Sequence, residues 1–463
     1  MIISSIKSDY NKFFFKLLIS IFIFSLVSGP FIPDLIVSIS SLFFIYFMIK
    51  QKLFRDILNN KLTLFLILFY IYIVFNSLFS HNILVSLKSA VPFCRLIFFA
   101  LLVSYIFQNR EYKNFTLYTF IILYSLLFAD VIFQTIYGFN ILGYELNINR
   151  VSSVFGDELI LGSFVSRTYG IFLFLLFNIS PKNKIILFFY VTTICLIMVI
   201  LSGERTALAI FIMIMFFAFF YLSNKYKLFI ILILGISFLS GLIVNKNSYE
   251  RIINHTLNQL TENSSLNFFS FRHQLHFLTA FEIFKDNLLL GAGIKSFRYL
   301  CSNDQYEKKI HEFIESKDNF AFYAKTDGYI ENLKIPLFTD DFNKGYYRQL
   351  VKKGEKFLKG DKLYFFYEYK NGCNTHPHNF FMQFLSELGI VGILFFIILY
   401  YKILKYLIKR LFSHQIEDSN YFILAIFFST LFPLFPSGNF FNNYLSILTF
   451  LPLGLMNLWK LKN

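Results

Sequence analysis

Two histidines flank a proline in Asn374-Thr375-His376-Pro377-His378-Asn379, directly before a long apolar run. Pro377 cannot continue a helix from its N-terminal side, so the chain turns here and a helix is expected to begin near His378 or Asn379. The positive end of a helix favours the neutral imidazole, and a neutral imidazole can take a proton from a sugar hydroxyl. His378 is therefore the candidate base, with His376 as a neighbouring substrate contact and Asn379 as a group that orients the imidazole or caps the helix. Two histidines two apart also suit a metal, but no carboxylates at matching spacing and no CxxC accompany them. No metal ligand set and no cofactor is assigned.

Arginines form a second set: Arg95, Arg150, Arg167, Arg205 and Arg272. A guanidinium meets phosphate oxygens through a planar fork and keeps its charge when partly dehydrated, so several of them facing outward suit a lipid-linked diphosphate. The competing readings are structural. Arg95 and Arg167 can pair with Asp130 or reach lipid headgroups, Arg205 can anchor to headgroups, and the histidine turn can be an ordinary cap.

Which reading holds depends on the elements that carry these residues. Of 463 residues, 56% are hydrophobic and 15% charged, which points to lipid as the main solvent. The 66 phenylalanines are read as filling for lipid-facing positions, not as base-stacking platforms. A bilayer core about 30 Å thick needs about 20 apolar residues in a helix. Twelve stretches qualify: 13–29, 31–49, 62–79, 88–107, 116–137, 159–178, 185–202, 206–222, 227–245, 386–404, 421–437 and 441–459. The fold class is thus all-α polytopic membrane protein with about twelve transmembrane helices. No small-residue cleavage site follows the first stretch, which is expected to stay attached.

Twelve crossings put both termini on one side. Eighteen Lys and Arg fall on that side, against Lys88, Arg150 and Arg205 in the short loops opposite, so the termini are expected in the cytoplasm. Most of the formal charge of +15 is then orientation signal, and nucleic acid drops out as a partner. Residues 1–245 carry spans one to nine, 246–385 form one large periplasmic loop domain bearing the histidine motif, and 386–463 carry spans ten to twelve. In this frame Arg95 lies seven residues into the fourth span and Arg167 eight into the sixth, each about 10–12 Å below the outer edge. Asp130 falls in the same outer half, and Arg150, Asp157, Glu158 and Arg205 at the outer surface. A transporter would gather such groups near the midplane instead.

Residues 246–378 hold 19 basic and 16 acidic side chains. From Phe271 to Phe284 the apolar residues Leu275, Leu278, Phe281, Ile283 and Phe284 recur at helical spacing, as expected of a helix on the outer membrane face. Residues 362–369 have the aromatic richness of a strand or a buried segment. Cys301 and Cys373 either form a bridge closing a loop of about 70 residues, worth roughly 4 kcal/mol on a chain-entropy basis, or remain two thiols. Cys94 and Cys195 lie in spans and read as inert apolar residues.

With these motifs in hand, the chain resembles the O-antigen ligase and polymerase superfamily of bacterial inner-membrane proteins. His378-Asn379 is followed by nine residues and then Gly389-Ile390-Val391-Gly392; Ser202 to Thr206 reads Ser-Gly-x-Arg-Thr; Gly291-x-Gly293-x-x-x-Phe297 follows Arg272; and Phe155-Gly156-Asp157-Glu158 follows Arg150. The resemblance implies a metal-independent, inverting enzyme that moves a glycan from undecaprenyl diphosphate to a lipid A-core sugar hydroxyl at the periplasmic face. It further implies His378 as base and Arg205 as the leading diphosphate ligand; depth in the membrane and the local motifs add Arg95, Arg150, Arg167 and Arg272 as further candidate contacts. Gly389 and Gly392 would permit close helix approach. Glu204, just before Arg205, departs from the small polar residue often found there. Membrane lipid, the lipid-linked donor and a glycan acceptor are the expected partners. An O-antigen polymerase, a protein O-oligosaccharyltransferase and a lipid-linked sugar transporter are the alternatives.

Overall fold

The computed structural model describes residues 2–146, 150–244, 250–254, 256–257, 269–301, 303, 305, 306, 309, 372–412 and 418–456. The aromatic segment 362–369 and the side chain of Arg272 lie outside the described residues.

The main helices are α1 (Ile2–Ser25), α2 (Phe31–Lys50), α3 (Lys61–Leu78), α4 (Ile83–Ile106), α5 (Arg110–Tyr137), α6 (Leu161–Ile179), α7 (Lys184–Leu201), α8 (Arg205–Tyr221) and α9 (Asn224–Val244). They continue as α10 (Phe271–Asp286), α11 (Phe380–Leu411), α12 (Asn420–Thr430) and α13 (Asn443–Gly454). Local chemistry sets several of their ends. Asn60, Asn109, Asn379 and Asn442 each accept amide hydrogen bonds at a helix start, and Gly138, in the left-handed region, closes α5.

Among the described residues, α2 to α7 and α11 are long and apolar enough to cross a membrane, seven helices in all, while α8 and α12 are shorter apolar helices. A helix overlaps each of the twelve stretches expected from sequence, but the length criterion is met by fewer. Large apolar side chains such as Phe13, Leu42, Ile122, Leu126 and Ile186 are exposed on the outer faces. A surface of that kind suits hydrocarbon and not water. The fold is therefore an all-α polytopic membrane protein. Helix α6 is its axis, buried along almost its whole length and packed by α5, α7, α8 and α12.

One expectation is corrected. The stretch 421–437 is not one helix: α12 stops at Thr430, and Pro433 and Pro436 lie in the connector 431–442, where they cannot donate to a helical ladder. Helix α10 forms over the stretch whose spacing suggested it and packs on α11, with Leu275, Ala280 and Ile283 buried.

Candidate active site

The histidine motif is a turn that leads directly into the start of α11. Asn379 is the N-cap of α11, its Oδ1 accepting from the Met382 amide at 3.0 Å while its Nδ2 donates to the carbonyls of Pro433 at 2.7 Å and Phe435 at 3.2 Å. Capping is thus its observed role, and it also ties the helix start to the connector. His378 precedes the cap with φ at +53°, a conformation rarely adopted outside glycine. Its carbonyl accepts from the Ser437 amide at 2.8 Å, which fixes the turn from the connector side.

The imidazole of His378 faces a partner that sequence reading did not single out. Asn374 Nδ2 lies 2.7 Å from His378 Nε2. Asn374 Oδ1 accepts from the Thr375 amide at 2.6 Å, so the amide NH2 is the group turned toward the ring. In a neutral ring Nε2 then accepts and Nδ1 carries the proton.

Three further imidazoles surround this one. His376 is 4.2 Å from His378 between ring centroids, His276 is 5.2 Å away in a stacked arrangement, and His273 is 5.7 Å away. His276 is fully buried, and its Nδ1 meets the Gly372 carbonyl at 2.8 Å, which assigns the Nδ1–H tautomer. His273 Nδ1 bonds Ser270 Oγ at 2.8 Å. Both lie on α10, whose register brings i and i+3 onto one face. No group of three or more His, Cys, Asp or Glu among the described residues has an arrangement that would hold a metal. The spacing of His273 and His276 was legible in the sequence, but nothing local announced that α10 packs against the motif.

Covalent chemistry anchors that packing. Cys301 and Cys373 are joined as a disulfide with a Cα–Cα distance of 5.2 Å. The bridge sits in a small core with Ala280, Ile283, Ala292, Phe297, Leu300 and Tyr306. Beside this core Glu282 takes Lys285 at 2.7 Å and Lys309 at 2.6 Å. Burial would raise its carboxyl, yet the two lysines hold it below the ordinary range.

Gly389 breaks α11 with φ at +64°. A Cβ there would stand 2.4 Å from the Leu289 carbonyl oxygen, and one on Gly291 would stand 2.5 Å from the Gly389 nitrogen. Across this contact Ala292 and Gly293 donate to the carbonyls of Ser386 and Glu387 at 2.9 Å, and Ile390 donates to that of Leu288 at 2.9 Å. The Gly389 motif therefore serves a loop-to-helix crossing and not the approach of two helices; the space at Gly392 is filled by Leu388.

The arginines divide into two groups. At the start of α6 and α8, Glu204 accepts from the amides of Gly162 at 2.8 Å and Ser163 at 3.2 Å, capping α6 from a distance. Burial pushes the Glu204 carboxyl up, and Arg150, with a nitrogen 4.0 Å away, pulls the other way. Arg150 Nε also donates to the Ser202 carbonyl at 2.9 Å. Arg167, almost fully buried, donates to Ser163 Oγ at 2.9 Å. Arg205 is the first residue of α8, half-buried, with its Nη1 3.5 Å from Thr256 Oγ1.

Arg95 lies elsewhere. Its Nε and Nη2 meet Asp34 Oδ1 at 3.2 and 2.7 Å. Of the structural alternatives, pairing with Asp130 is not seen for Arg95 or Arg167. Asp130 instead accepts from the Ile141 amide at 2.8 Å and from Ser153 Oγ, ordering the loop after α5. The connector 431–442 and the start of α13 join these regions: Ser437 holds His378, and the Tyr444 hydroxyl lies within electrostatic reach of Arg167.

Fold and site together define a polytopic helical membrane protein with an imidazole cluster before α11 and a separate group of arginines around the starts of α6 and α8. Residues 189–324 match the family model described as O-antigen ligase, so this segment is similar to that family. The match includes Arg205 and Arg272 and stops short of His378. No curated protein and no solved structure gives a significant match.

Proposed function

We propose that this protein is an O-antigen ligase-type glycosyltransferase that moves a glycan from undecaprenyl diphosphate to a lipid A-core sugar hydroxyl at the periplasmic face of the inner membrane. The acceptor oxygen attacks the anomeric carbon, the bond from that carbon to the diphosphate oxygen breaks, and the product is inverted. His378 receives the hydroxyl proton at Nε2 after the acceptor displaces the Asn374 amide. The departing lipid diphosphate carries the negative charge, which Arg205 and Arg272 bind through their guanidinium forks, with Arg150 and Arg167 adding to the positive field. The acceptor stacks beside His376.

The observation that supports this reading best is the contact of His378 with His273 and His276 on α10. Through it the histidine motif, outside the family match, joins the helix that carries Arg272, inside it. The diphosphate leaving group is already good, so positioning and charge stabilisation supply most of the rate, and the base adds about 10²–10⁴-fold. Transfer assayed with H378A and R205K in inserted protein is the test. Loss by about 10²-fold or more for H378A, with R205K also impaired, is expected; normal transfer by both overturns the assignment. Deleting the gene separates ligase from polymerase: polymer accumulates on the lipid carrier in the first case, and long chains disappear in the second.

A further inference from the structure

We propose that α1, α2, α4 and α13 line a second lipid site, apart from the transferase centre, which takes a lipid with a phosphate in its headgroup. Its upper part is a polar chamber of about 250 Å³ lined by Asp34, Lys88, Arg95, Lys295, Asn443 and Ser446. Three cations face one carboxylate there. Asp34 uses Oδ1 for Arg95 and Oδ2 for Asn443 Nδ2 at 3.1 Å, and Arg95 Nη1 donates to the Pro92 carbonyl at 3.1 Å. The aspartate thus holds the guanidinium in place and leaves the chamber positive overall, the environment a phosphate needs.

Directly along the same helices lies an apolar cavity of about 440 Å³, within the usual range for a lipid or small-molecule pocket. Leu96 lines the chamber and Phe99 the cavity on α4; Asp34 and Ile36 do so on α2, and Ser446 and Leu451 on α13. Steps of two to five residues are about 3–8 Å of helix. A cationic chamber stacked within one or two turns of a hydrocarbon-lined cavity matches a phosphate joined to an acyl or prenyl chain. Lys295 reaches the chamber from the segment after α10, which is pinned by Ser86 Oγ donating to the Ile294 carbonyl at 2.8 Å and the His81 amide donating to the Ala292 carbonyl at 2.9 Å. The outer segment therefore forms part of the headgroup site.

The test is native mass spectrometry of the full chain in detergent, with phosphatidylglycerol, undecaprenyl phosphate, diacylglycerol and inorganic phosphate as separate probes. Phosphatidylglycerol is expected to be retained, diacylglycerol and inorganic phosphate not. K88A, at an exposed position, should weaken retention about tenfold through the headgroup, and S40F should weaken it by filling the cavity. Displacement of phosphatidylglycerol by undecaprenyl phosphate would assign the site to the carrier lipid; failure to displace it would assign it to bilayer phospholipid. Equal retention of diacylglycerol, or retention unchanged in both variants, overturns the proposal. Lipid mass is read without any glycan transfer, so this outcome is independent of the transferase reading.

Discussion

The side-chain amide of Asn374 donates to His378 Nε2 at 2.7 Å. That bond occupies the lone pair a base would use, and it fixes the ring so that an acceptor hydroxyl replacing the amide meets the same nitrogen. N374D puts an acceptor where the donor was and reverses the preferred tautomer. Transfer by N374D should fall by about tenfold or more, bounded above by the roughly 10²–10⁴-fold that the base itself contributes, while N374S should retain more activity. Initial rates of glycan transfer check both.

Cys373 lies five residues before His378 and is bonded to Cys301 across a sequence separation of 72. On a chain-entropy basis the bridge contributes about 4 kcal/mol. C301S and C373S should lower the melting temperature, and the double variant should be no worse than either single one. Alkylation followed by mass spectrometry should label this pair only after reduction.

G389A must carry a side chain at φ +64° and push it onto the Leu289 carbonyl. Loss of about 1–3 kcal/mol or more is expected. G235A is the control: it lies within α9 with nothing inside 4 Å of a new Cβ, so it should be neutral or slightly stabilising. Thermal unfolding in detergent distinguishes the two.

Removing Arg150 takes away the cation 4.0 Å from the partly buried Glu204 carboxylate. R150A should cost about 1–3 kcal/mol, less than breaking a fully buried pair, and E204Q placed in the same chain should recover part of it.

Glu282 is held below its ordinary value of 4.5 by its two lysines. A depressed carboxyl stabilises fully above that ordinary value, and the contribution disappears as pH falls through the lower folded value. The melting difference between the native chain and E282Q should therefore be constant from neutral pH down to about 5 and vanish under stronger acid.

Long apolar stretches exposed the membrane helices because lipid imposes one rule on every span, and the motif around His378 was visible because Pro377 and Asn379 act locally. The partners of the site were not visible in this way. His273 and His276 reach His378 only through the packing of α10 on α11. Arg95 sits near Asp34, 61 residues away in sequence, whereas Asp130, chosen on depth, is consumed by its own loop. Depth along a helix can be counted from sequence, but the rotation of one helix against another cannot. Likewise Glu204 stood out in the sequence only as a departure from a small polar residue before Arg205, and its carboxylate caps a neighbouring helix.

The break at Gly389 also bears on the order in which the chain becomes a finished protein. By itself α11 cannot complete its hydrogen-bond ladder, and unmet backbone groups near hydrocarbon cost several kcal/mol each. Their partners, Leu288 to Gly293, leave the ribosome almost a hundred residues earlier. The segment after α10 is therefore made before the helix whose broken ladder it completes.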